Sequence, residues 1–139
     1  MKKRLSSIAL ILLLMATFSC KKAVENKKQD LLMSAITDGL WVVEQYFEGA
    51  NNITTNFANY EFKFSGDGIV TGTKAPDVTS GTWSGNMSNY SITSNFPSAG
   101  DPVQKLNGIW KITDSYWDYV EAEMSTASGM NILHLRKKP

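Results

Sequence analysis

The sequence predicts an all-β protein, a small antiparallel up-and-down barrel of about eight strands preceded by a short helix. Three observations lead there. From Gly39 onward, aromatic and β-branched residues alternate with polar ones at a period of two, as strands require. Turn signals built from Gly, Asn, Asp, Ser and Pro recur between the short runs. No helical pattern intervenes, and the roughly 100 residues that remain are enough for one domain. A sandwich fits the same pattern, but closure into a barrel removes the edges that an open eight-strand sheet exposes to aggregation.

The strands follow in order. Leu40 to Glu48 is expected to put Trp41, Val43 and Phe47 on one face, with Val42, Glu44, Tyr46 and Glu48 on the other. Phe57 to Ser65 turns Tyr60, Phe62 and Phe64 one way and Asn59, Glu61 and Lys63 the other. Ser65-Gly66-Asp67-Gly68 then reads as a hairpin turn, because Gly and Asp tolerate positive φ. A strand from Ile69 to about Thr73 ends at Ala75-Pro76-Asp77, since proline has no N–H to give to a ladder. The later strands are Ser80 to Asn86, Asn89 to Asn95, Leu106 to Thr113, Tyr116 to Met124 and Met130 to Lys137. Their turns fall at Asn86 with Ser88, Pro97 to Pro102, Asp114-Ser115 and Ser125 to Gly129.

Residues 1 to 19 read as a secretion signal. A basic cluster, Lys2, Lys3 and Arg4, precedes an apolar run from Ile8 to Ala16 and then Thr17-Phe18-Ser19-Cys20. The run is about half the ~20 residues a spanning helix needs. Cys20 is the sole cysteine, and an unpaired thiol in an exported protein calls for an explanation. The tract resembles the lipobox of bacterial lipoproteins, departing from the common form at Thr17 and at the bulky Phe18. The resemblance implies that Cys20 is acylated and becomes the first mature residue, so that the N-terminal lipid makes the membrane a partner. Lys21 is not the Asp associated with inner-membrane retention, which points to the outer membrane with the leaflet left open. Loss of the three signal cations takes the net charge from +1 to about −2 and leaves no basic patch for nucleic acid. Residues 20–30 are polar and charged and read as a tether; residues 31–139 read as the domain. Leu31, Leu32, Ala35 and Ile36 recur at helical spacing, predicting a short helix that caps the barrel.

The Gly39-Leu40-Trp41 start, Tyr60-x-Phe62-x-Phe64 turning at Gly66-Asp67-Gly68, Gly81-Thr82-Trp83, and Leu106-Asn107-Gly108-Ile109-Trp110 together resemble the lipocalin-like domain of Bacteroidota-type lipoproteins. The resemblance implies an eight-strand barrel and, for most members, no assigned activity. A chain this short departs from full-length lipocalins, which bears against a large cavity.

The residue inventory predicts neither an enzyme nor a metal or cofactor site. His134 is the single histidine, and the serines show no nucleophile-elbow pattern. Glu121 and Glu123 share one strand face without a third ligand at a fixing spacing. Asn52-Ile53-Thr54 and Asn86-Met87-Ser88 match a glycosylation sequon but read as turns, and Gly66-Asp67-Gly68 lacks the spaced acids of a calcium loop. Two readings of function remain. In one, an interior walled by Trp41, Phe47, Tyr60, Phe62, Phe64 and Trp110 holds a small apolar or amphipathic ligand, or is simply filled by those rings. In the other, the domain is an envelope interaction module with an unknown protein or glycan partner.

Strand parity supplies two further expectations. On the last strand, Leu133 and Leu135 point inward and His134 outward; Arg136 then also points outward, away from Trp41, on which full-length lipocalins stack an arginine. On Tyr116 to Met124, Val120, Ala122 and Met124 face inward, so Trp117 and Tyr119 form an outer aromatic patch beside Glu121 and Glu123. A bulge before Val120 would instead turn one ring into the barrel mouth.

Overall fold

The computed structural model describes the backbone of residues 2–139 and the side chains of residues 20–139. The side chains of the signal reading lie outside the described residues. The chain forms one helix, α1 (Lys2–Thr37), and nine strands: β1 (Trp41–Glu48), β2 (Asn51–Asn52), β3 (Glu61–Phe64), β4 (Ile69–Lys74), β5 (Asp77–Asn86), β6 (Ser91–Asn95), β7 (Gly108–Ser115), β8 (Tyr119–Thr126) and β9 (Gly129–Lys137). Two 3₁₀ turns, Thr54–Phe57 and Val103–Leu106, lie in the connections. Residues 20–30 belong to α1 and are exposed, apart from the half-buried Gln29.

Every strand pairs antiparallel with its neighbour, and β1 pairs with β9 to close an eight-strand up-and-down barrel, with β2 a two-residue extension against β1. The β1–β9 seam runs from Trp41↔Lys137 to Glu48↔Asn131, whereas β1 meets β3 only at Trp41↔Phe62. The expected turn at Ser65–Gly68 forms: Gly68 sits at φ +85°, its N–H donates to Ser65 O at 3.1 Å, and Asp67 Oδ1 accepts the Ile69 N–H at 3.1 Å. Ala75-Pro76 ends β4 without interrupting the meander, since Lys74 pairs with Asp77 and the strands return directly. Asn52 and Asn86 act as turn residues, each accepting a backbone N–H two residues on, from Thr54 at 3.0 Å and Ser88 at 2.9 Å.

One face of β1 differs from the alternation expected for it. The register to β9 shifts between Val43 and Gln45, so Glu44 is an extra residue in a bulge. Beyond it the parity inverts. Tyr46 is fully buried and stacks on Phe57 at 5.2 Å, while Phe47, expected in the interior wall, turns to the outer side and is half-buried. A second bulge between Ile112 and Asp114 on β7 lets that strand run on to Ser115.

α1 caps the end of the barrel where β1 begins. Leu32, Met33 and Ile36 pack on the core, and the Trp41 indole N–H donates to Ile36 O at 2.9 Å. Gln29 clips the helix to the β5–β6 turn: its Nε2 donates to Gly85 O at 3.2 Å and its Oε1 accepts the Met87 N–H at 3.0 Å. Gly39 at φ +82° turns the chain out of the helix and into β1. The two 3₁₀ turns gather at the other end of β1, where the Tyr46 hydroxyl donates to Lys105 O at 2.8 Å.

Candidate functional site

Of the six residues expected to wall a binding cavity, Trp41, Phe62, Phe64 and Trp110 are buried in the barrel, and Tyr60 is half-buried against them. Phe47 is excluded by the bulge. The interior they surround is filled. A residual apolar void of about 40 Å³ remains, lined by Phe62, Phe64, Phe96, Leu106, Trp110 and their neighbours. Ligand sites for small molecules run to about 300–1,000 Å³, and this void is several-fold smaller. Phe96, Val103 and Leu106 are responsible: they belong to the connection around Pro97 to Pro102 that the sequence marks as a turn, and they fold inward to plug the barrel.

The polar groups in this core are committed to one another. Leu106 O accepts both the Ser94 hydroxyl at 2.5 Å and the Trp110 indole N–H at 2.9 Å. The Trp83 indole N–H donates to Ser65 O at 2.9 Å. Tyr46, hydrogen-bonded to Lys105 O and to Asn131, has its phenol pushed up to about 12 by burial. Among the described residues no buried side-chain nitrogen or oxygen lacks a partner, so none is free to orient a ligand inside.

The open space lies outside, at the mouth capped by α1. A groove of about 370 Å³ runs between the helix residues Lys28, Leu31, Leu32 and Ala35 and the barrel rim at Met87, Tyr90, Ile112, Tyr116 and Trp117, with Trp41 and Ile36 at its base. Its walls are mainly apolar; Lys28 contributes charge, and Tyr90, Ser115 and Tyr116 contribute hydroxyls. Tyr116, Trp117 and Tyr90 are 68%, 49% and 46% exposed.

The expected outer patch therefore divides. β8 begins only at Tyr119, and Tyr116 to Asp118 form the β7–β8 turn, closed by the Tyr116 N–H donating to Tyr119 O at 3.0 Å. The turn sends Trp117 over the barrel mouth. Tyr119 stays on the outer wall, where its hydroxyl donates to Asp114 Oδ2 at 2.8 Å, a bond that raises its pKa, and its ring lies 5.3 Å from the Arg136 guanidinium. Val120 and Ala122 face inward as expected, with Met124 partly buried against the core.

The last strand keeps the expected parity. Leu133 and Leu135 are buried, and His134 faces outward with Nε2 3.9 Å from Glu121. Arg136 bridges Glu44 at 3.1 Å and Asp118 at 3.4 Å on the outer wall. The cation over Trp41 is nevertheless present: Lys137 places Nζ 5.3 Å from the indole and 3.2 Å from Asp38. Paired directly opposite Trp41, Lys137 reaches the ring that Arg136 cannot. Cys20 is exposed on α1. Among the described residues no three His, Cys, Asp or Glu side chains group as metal ligands, and no helix is long and apolar enough to cross a membrane.

These features define a small closed antiparallel barrel, filled within and lidded by a helix, with a sizeable groove between lid and rim. The same fold is found in the crystal structure of a DUF4847 family protein from Bacteroides vulgatus. It is similar to this chain with a TM-score of 0.56 at 14% identity, over 78% of this chain and 99% of that one. At that identity the likeness is one of fold. No family model matches the sequence, and no curated protein is similar to it.

Proposed function

We propose that the protein is a lipid-anchored lipoprotein of the bacterial outer membrane, acylated at Cys20, whose lipocalin-like barrel is a non-catalytic module binding a small apolar or amphipathic molecule. The contrast between a 40 Å³ interior and a 370 Å³ mouth groove supports this reading with the ligand in the space between α1 and Trp117. An apolar wall with the Lys28 ammonium and the hydroxyls of Tyr90, Ser115 and Tyr116 at hand suits a ligand with an apolar body and an anionic or polar head. The signal pattern ahead of Cys20 supports the anchor, because acylation there delivers the domain to a membrane where such molecules are dissolved. A second reading, an envelope interaction module, draws on the exposed rings of Tyr90, Tyr116 and Trp117, which offer apolar bodies with hydrogen-bonding edges.

Two measurements test the proposal. Cys20→Ser should release the protein from membranes into the soluble periplasmic fraction; a variant that still fractionates with membranes overturns the anchor. Native mass spectrometry of protein purified from its own host should reveal a retained small molecule. Ser115→Trp, which fills the groove from its exposed edge, should eliminate that mass. Retention unaffected by Ser115→Trp places the ligand elsewhere, and no retained mass in either protein removes the ligand.

A further inference from the structure

We infer that the lidded mouth of the barrel, together with the exposed face of α1 that leads to it, is a docking surface for an anionic lipid bilayer. The folded domain then lies on the membrane with its aromatic rim at headgroup depth, instead of hanging free from an anchor.

The helix supplies the first part of the argument. At 100° per residue, Cys20, Val24, Leu31 and Ala35 fall within one narrow stripe of α1. Val24 and Leu31 on that stripe are 55% and 54% exposed, although the barrel buries the opposite face through Gln29, Leu32, Met33 and Ile36. Val24 and Leu31 thus leave apolar surface open beside the face that packs on the barrel. Charge supplies the second part. Residues 20–37 carry four lysines, Lys21, Lys22, Lys27 and Lys28, all exposed, against Glu25 and Asp30. Lys27 and Lys28 flank the apolar stripe on its two sides, the arrangement of a helix lying in a membrane interface.

The barrel supplies the third part. The stripe ends at Leu31 and Ala35, which are walls of the mouth groove, and across that groove stand Tyr90, Tyr116 and Trp117. Tyrosine and tryptophan with an apolar body and a polar edge are the residues that settle at the headgroup level. From Cys20 to Leu31 is about 16 Å along the helix axis, so the stripe, the lysines and the rim form one continuous face around the anchoring residue. An anchor at Cys20 holds this face at high local concentration next to lipid, so weak contacts suffice to dock it. The inference rests on the lipoprotein reading only for the natural source of the anchor.

The chain from Cys20 onward contains the whole barrel and every described helix side chain packed on it, and its single thiol allows the anchor to be supplied chemically, whether or not the cell acylates it. Coupled through Cys20 to maleimide-bearing lipids in phosphatidylglycerol vesicles, the protein carries its own probe. Trp117 is exposed, whereas Trp41, Trp83 and Trp110 are 0%, 5% and 3% exposed. Brominated acyl chains should quench a component of the emission that Trp117→Phe lacks, and acrylamide quenching of that component should fall on vesicles. Lys27→Gln combined with Lys28→Gln should weaken binding of uncoupled protein to the same vesicles about 30-fold. If Trp117 stays as open to acrylamide on vesicles as in solution, the docking is wrong, even where Cys20→Ser shows the anchor to be real. Shielding of Trp117 that grows with protein concentration in the absence of lipid assigns the face to a second copy of the chain and likewise overturns the inference.

Discussion

Trp41→Phe separates the two roles open to the aromatic residue that starts β1. If Trp41 walls a ligand cavity, the smaller ring enlarges the cavity and leaves the fold largely intact. The structure assigns it the opposite role. Its ring is fully buried, its N–H donates at 2.9 Å to Ile36 O, and Ile36 is itself fully buried. Phenylalanine has no N–H, so the carbonyl is left unpaired beneath the lid, which costs about 1–3 kcal/mol. The lost ring volume adds roughly 1 kcal/mol for a partly relaxed void. A domain of this size loses about 4–8 °C of Tm per kcal/mol, so the expected loss of about 2–4 kcal/mol lowers Tm by roughly 8–30 °C. Urea titration followed by far-UV circular dichroism measures it without relying on the deleted fluorophore. Lys137→Met, which removes the ammonium 5.3 Å from the ring, should cost about 0.5–1 kcal/mol, and less in the Trp41→Phe background, where the ring holds a cation more weakly. A Trp41→Phe protein within about 0.5 kcal/mol of the parent would refute the lid-pinning role, because the N–H bond alone is worth more than that when its acceptor is buried.

Gly81→Ala should destabilise the domain by about 1–3 kcal/mol, against the gain of about 0.5–1 that alanine brings to an unstrained strand position. A Cβ at residue 81 clashes with Asn95 O and comes to 2.9 Å from Phe96 Cδ1, and backbone on one side leaves little room to yield. Thermal melts of the variant check the sign. The Tyr46 phenol titrates near 12 in the fold and near 10.0 when unfolded, so the folded state holds its proton more tightly. Its contribution is complete below pH 10 and is lost as pH rises to 12, by roughly 2–3 kcal/mol. Urea titrations across that range should show Tyr46→Phe losing less stability than the parent; equal losses in both proteins would assign the decline to other groups.

Strand number, order and the capping helix were legible because they follow from periodicity and turn chemistry. Phe62, Phe64, Val120, Ala122, Leu133 and Leu135 all face inward as simple alternation requires. What alternation cannot carry is a bulge. Glu44 is one residue among eight in β1, and nothing in its identity marks it as the extra one, yet it moves Phe47 out of the interior and Tyr46 into it. The same limit applies at the β7–β8 connection, where a strand expected from Tyr116 begins at Tyr119 and the aromatic pair parts company. Gln29 was hidden for a different reason: an amide in a charged stretch carries no periodic signal, and its two bonds reach the backbone 56 and 58 residues away.

The interior walled by aromatics has two readings in the sequence, and the difference between them bears on function. Large aromatics at inward positions are consistent with a cavity wall and with a filled core, and the choice between them depends on what closes the ends. Here Phe57, Phe96, Val103 and Leu106 come from the connections, where sequence patterning is weakest, and close one end around Tyr46. Ile36 and Trp41 close the other. In a barrel closed at both ends with its buried side-chain polar groups matched, a ligand entering the interior has to displace packed side chains and their hydrogen bonds. The helix lid pins itself through Gln29 on one side and Trp41 on the other, and between those points and the Trp117 turn the rim is left uncovered. The side of the molecule that carries Cys20 is thus also the side that keeps open space, exposed rings and cations. That coincidence is what connects the proposed anchor and the proposed ligand to a single face.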